Sequence, residues 1–228
     1  MHILRIGAIF VLAAVASGAW AAEVSMGGVS IKLPAPAGFC DLSPGHPADN
    51  RALTVFGAAS EKEAGRLFGI SADCQQLADW RAGKRPLPDD RVHFQTSIAN
   101  MTEVVASPKA FIHTMCALLR AKGNEFGSAV VPDVRSKIEG AVAKVKVNSQ
   151  EFVGVMAEDD TACYAARIMK MRTPTDGDKT HLHLTSITVL KNKGIYVFRY
   201  APYTSADATL GVLGKLKDTI AVLHAANK

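Results

Sequence analysis

Two histidines, His181 and His183, stand two apart in "THLHLTSITVLKNKGIYVFRY" (180–200), a stretch that reads as a β-hairpin. Residues i and i+2 of a strand project from one face, so both imidazoles could reach one metal ion. Two imidazoles do not complete a zinc site, and further ligands must come from elsewhere. Asp176 and Asp178 lie nearby in "TDGD", although that loop lacks the ligand spacing and the following glutamate of an EF-hand. A metal-binding or hydrolytic enzyme would use His181 and His183 with such loop acids. The competing expectation is that both rings decorate the exposed end of a strand and bind nothing.

Cysteine is the other residue type that could do chemistry. Cys40, Cys74, Cys116 and Cys163 include no CxxC pair, so neither a redox-active dithiol nor a zinc ribbon is indicated. An even count in an exported chain reads as disulfides. Three pairings are possible, and Cys40 with Cys74 and Cys116 with Cys163 is the expected one, because each joins neighbouring elements. A Cys–His couple from Cys116 and His113 fails on geometry, since the two side chains diverge around a helix. Glu158, Asp159 and Asp160 could suggest paired carboxylates, but at a hairpin tip they read as a solvated turn. Tyr196, Phe198 and Tyr200 share one strand face, either as a ligand-stacking platform or as packing for the last helix. No GxSxG, HExxH, P-loop or GxGxxG motif occurs, and no cofactor is expected.

The elements that would position these residues follow from periodicity. "VSIKL" (29–33), 66–74 and 91–100 read as strands, the last alternating Val92, Phe94 and Thr96 inward against Arg91, His93 and Gln95 outward. A short helix is expected within 47–60, carrying Leu53 and Phe56 inward, and one or two helical turns after Cys74. "SPKAFIHTMCALLRAKGN" has Ser107 to cap, Pro108 at the first position and Gly123 to stop a helix, with Phe111, Ile112, Met115, Leu118 and Leu119 as its stripe. A further helix is expected over 132–147. The C-terminal half reads as a four-strand antiparallel meander with turns at 158–161, 173–180 and 191–194. A final helix follows, capped by Thr204 and Asp207 and buried through Leu210, Leu213, Leu216, Ile220 and Leu223. The fold class is α+β: one domain with an antiparallel sheet packed by helices.

The address is written at the start. Arg5 precedes an apolar run from Ile6 to Ala19, and "AWA" (19–21) offers small residues for a cut before Ala22. That is the layout of a signal peptide, residues 1–21, leaving one domain over 22–228. The run is shorter than the roughly 18 residues a spanning helix needs, and no second one follows. The net charge of +5 becomes +4 once Arg5 leaves with the leader. The basic residues are scattered, without aromatic interleaving, which reads as a solvated surface and not a nucleic-acid footprint.

"VSIKLP…GF", the C-terminal meander, the "KNKGIYVFRY" hairpin strand and the terminal helix together resemble the PsbP-like domain class. The resemblance covers most of the mature chain in order of elements. It implies a small exported or lumenal α+β domain serving as a binding or assembly module, mostly without enzymatic activity. Bacterial relatives are frequently lipoproteins, whereas this chain has no lipobox cysteine, and its four cysteines are a further departure. No motif lines up residue by residue, so no functional residue carries across. The expectation is a periplasmic or secreted, disulfide-stabilised, non-enzymatic binding or accessory protein of the bacterial envelope. Its partner would be an envelope protein or a small ligand.

Overall fold

Two of the hairpins are set by two-residue turns in which both residues have positive φ. Gly27 (55°) and Gly28 (80°) join β1 (Ala22–Met26) to β2 (Val29–Leu33), and Lys191 (47°) and Asn192 (61°) join β8 (Gly177–Leu190) to β9 (Lys193–Pro202). That turn geometry matches the right-handed twist of the flanking strands. β1 was not anticipated, although the Gly-Gly pair flanked by alternating residues signals it. The computed structural model describes residues 22–123, 146–173 and 177–228. The leader and the helix expected over 132–147 lie essentially outside the described residues, with only 146–147 inside them, as the start of a strand.

Between the hairpins come β3 (Phe39–Asp41), α1 (Pro47–Lys62), β4 (Gly65–Asp73), α2 (Cys74–Arg81) and β5 (Arg91–Ser97). A helix α3, helical over 108–123, follows, then β6 (Lys146–Glu158) and β7 (Ala162–Thr173), with α4 (Ala206–Ala226) after β9. β1 and β2 pair separately. The remaining strands form one antiparallel sheet in the order β3-β4-β5-β9-β8-β7-β6, so the C-terminal meander is present as expected. The earlier strands join it through β5 against β9.

One sheet face is apolar. Val92, Phe94, Tyr164, Leu182, Leu184, Ile195 and Val197 are buried there beneath Met26, Ile31 and Leu33 of the small hairpin and Leu213, Leu216, Ile220 and Leu223 of α4. Fully burying each such leucine or isoleucine is worth about 1.5–3 kcal/mol. The Asn227 side chain locks this layer: it accepts from the Lys32 amide at 2.8 Å and donates to the Lys32 carbonyl at 2.7 Å. Two details differ from expectation. Leu210 is exposed, and Thr209 takes its place on the buried side. Ser205, not Thr204, caps α4, accepting from the Ala208 amide at 3.1 Å.

The opposite face carries two smaller apolar groups, each with its own cross-link. Leu42, Ala52, Ile70, Ala72 and Leu77 pack with Leu53 and Phe56 beside the Cys40–Cys74 disulfide. Ile112 and Cys116 of α3 pack on Cys163, Ile187 and Val189, with Cys116–Cys163 joining helix to strand. The acidic hairpin tip belongs to this same attachment. Glu158 meets His113 at 2.9 Å and Arg120 at 2.8 Å, and Asp160 meets Lys109 at 2.8 Å. Asp159 folds the turn itself by accepting from the amides of Thr161 and Ala162, both at 2.9 Å. These carboxylates are occupied by structure.

Candidate functional site

Between the two apolar groups runs a line of polar and aromatic side chains set by strand register. Cys40, Ala72, Arg91, Tyr200, His183, Arg167 and Phe152 are successive partners across all seven strands of the large sheet. Partners on adjacent strands lie about 5 Å apart, so these side chains meet on one face. His93 and Phe198 form the next rung, paired with each other across β5 and β9. The side expected to face water on β5 is therefore covered: His93 is 1% exposed and Arg91 8% exposed. Tyr196, Phe198 and Tyr200 do not pack against the last helix, which lies on the other face. They remain half-buried.

The rings and guanidiniums stack. Arg91 sits 4.3 Å above the Tyr200 ring centroid, and Tyr200 stacks on His183 at 4.5 Å with planes 6° apart. His183 also lies 5.3 Å from Phe198, and Arg167 lies 5.9 Å from Phe152 at the far end. Cations over aromatic faces gain from the ring quadrupole, more so where water is excluded. Arg91 donates from Nε to His93 Nε2 at 3.3 Å and from a terminal nitrogen to the Pro88 carbonyl at 2.9 Å. Accepting at Nε2 places the His93 proton on Nδ1 and keeps the ring neutral.

Electrostatics reinforce that neutrality. Burial, aided by Arg167 and Arg91, pushes His183 down to about 3, and burial with Arg91 and His183 holds His93 well below the usual imidazole range. His181 is lowered by burial and by Arg91, with Asp89 opposing. Burial raises the Tyr200 hydroxyl.

His181 and His183 do share a face, as their spacing requires, but neither decorates an exposed strand end. His181 is 4% exposed, and its nearest acid is Asp89, with Nε2 to Oδ1 at 3.9 Å. Asp178 does not converge on them; it forms a two-pronged pair with Arg172 at 2.7 Å, and Asp176 lies outside the described residues. Among the described residues no group of three or more potential ligands gathers around a metal position. Imidazoles beside two guanidiniums offer a poor seat to a divalent cation, because like charges repel most strongly where water is scarce. A cleft of about 280 Å³ lies between α1 and β4, lined by Leu53, Gly57, Arg66 and Phe68 among others, and none of the sequence-predicted site residues borders it.

Sequence reasoning missed Arg91, His93 and Arg167. The available signal for the first two was a spacing of two: Arg91 and His93, like His181 and His183, stand two apart in a strand and so share a face.

No helix among the described residues is long and apolar enough to cross a membrane. No protein-family model matches the sequence, and no curated protein matches it significantly. The fold is similar to the 1.9 Å crystal structure of the Saccharomyces cerevisiae Ran-binding protein Mog1p, with 12% identity, 90% of each chain covered and a TM-score of 0.27. A likeness at that level carries no argument about this chain.

Proposed function

We propose that this chain is an exported, disulfide-stabilised binding or accessory protein of the bacterial envelope, acting without catalysis. The observation that carries it is the placement of the two disulfides. Both lie on the face bearing the Arg91–Tyr200–His183–Arg167 line, one pinning α2 to β3 and the other pinning α3 to β7. One covalent tie at the end of the polar line and another alongside it hold recognition groups at fixed spacing, and thiols paired in this way persist in an oxidising compartment. The leader-like residues 1–21 support the same address, and the PsbP-like order of elements supports a binding or assembly role. The buried, neutral histidines are engaged in stacking and a hydrogen bond, which suits recognition better than proton transfer near neutral pH.

The test is fractionation of expressing bacteria followed by intact-mass measurement without reduction. The expected species is periplasmic or secreted, begins at Ala22 and has no alkylatable thiol. A cytosolic protein retaining Met1 and four free thiols would overturn the proposal.

A further inference from the structure

Two buried arginines in this domain are treated differently. Arg199, 2% exposed, meets a carboxylate: its terminal nitrogen lies 2.9 Å from each oxygen of Asp90. Arg91, nearly as buried, has among the described residues a neutral imidazole, a carbonyl and two aromatic faces as its partners. No carboxylate among the described residues stands at ion-pair distance from Arg91 or Arg167. Asp89 and Asp90 act on Arg91 from a distance, and Asp89 is engaged by Arg85 at 3.0 Å and Lys179 at 3.6 Å. Glu63, just beyond α1, acts on Arg167 and Tyr200 through its charge. A partly desolvated cation without a counter-charge is costly, and folded proteins pair such groups.

A second observation is independent of charge. His183 Nε2 and His181 Nδ1 are enclosed and make no hydrogen bond among the described residues, as is also true of Arg199 Nε on the other face. Buried polar atoms are nearly always satisfied, so orphans beside unpaired cations point to an absent partner. The Tyr200 hydroxyl likewise makes no hydrogen bond to any described residue.

We propose that the line Arg91–Tyr200–His183–Arg167 is the binding site for an oxyanion, the carboxylate or phosphate group of a small ligand. The half-buried Arg167 and the Tyr200 hydroxyl donate to it. Arg91 supplies field from below while holding Tyr200 by stacking. The planar guanidinium suits a two-oxygen acceptor, and the aromatic edges of Phe198 and Phe152 flank the ligand's apolar remainder. This deepens the binding-module reading by naming the chemistry of the ligand. Its failure would leave export and the disulfides untouched, so the two are separable.

The experiment is titration of the oxidised mature protein with inorganic phosphate and, separately, with succinate, following histidine ring resonances by NMR with sodium chloride as the ionic-strength control. Saturable shifts at His183 are expected with a dissociation constant of about 1 mM or tighter. Response to one anion alone identifies whether phosphate or carboxylate is the cognate group. Arg167→Gln should weaken binding at least tenfold, and Tyr200→Phe, which removes only an unbonded hydroxyl, should weaken it several-fold with unchanged melting temperature. Arg172→Gln makes the same charge change away from the line and should leave affinity within about twofold. No saturable shift with either anion, or equal losses in Arg167→Gln and Arg172→Gln, overturns the site.

Discussion

The two faces of the large sheet are held by different means. Beneath α4 and the β1–β2 hairpin, apolar side chains form one continuous layer with no covalent tie. On the other face the apolar contacts are split into two groups by the arginine–histidine–tyrosine line, and each group has a disulfide beside it. A layer interrupted by polar groups gives up hydrophobic area. Cross-links offset the loss by restricting the unfolded chain. Stability on one face thus comes from burial, and on the other it is partly relocated into sulfur bonds so that the middle can stay polar.

Removing the longer cross-link should break this comparison most visibly. A Cys116→Ala, Cys163→Ala double variant opens a loop of 47-residue separation and is expected to lose about 4 kcal/mol in urea unfolding. A loss under about 1 kcal/mol would mean that packing of α3 alone suffices and that the faces do not differ as described. Leu223→Ala on the apolar face should cost about 3 kcal/mol in the same assay, because it empties a site with 0% exposure. That cost should be the same at every pH.

Titration separates the two faces. His183 is near 3 when folded and near 6.5 when unfolded, so on acidification the unfolded chain takes up a proton that the folded chain refuses. Stability contributed by the neutral ring is complete above about pH 6.5 and is lost as pH falls towards 3. Replacing His183 with Phe, which preserves stacking, should flatten the stability slope between about pH 6 and pH 4 by about 1.4 kcal/mol per pH unit. Thermal melts of the variant and parent across that range measure it, and parallel slopes would place the ring in water.

Much of the fold was legible because its signals are local. Ser107 and Pro108 opening α3 and the alternation in β7 to β9 depend on short stretches, and the cysteine pairing follows from which elements are neighbours. The site was legible only in part. Alternation in "RVHFQTS" separates two faces of β5 but does not say that both are covered, so Arg91 and His93 were assigned to water. The two uses open to the aromatic face of β9 could not be separated for the same reason: period two fixes which residues share a face, not which helix lies over it. Leu210 was misplaced at a helix terminus, where the buried stripe begins at Thr209. The arginine–histidine line depends on pairings between β5 and β9, about a hundred residues apart, which no local pattern encodes.

The central strand of the sheet, β9, is also the last strand in the chain. Until it emerges, β5 waits with a bare edge, its eventual neighbour more than ninety residues away. Such non-local closure slows folding and leaves the unfinished N-terminal half exposed to mispairing with other chains. The yield of this domain should therefore depend on how long β5 stays unpaired before β9 reaches the folding compartment, and holdase chaperones that shield β5 there should raise it.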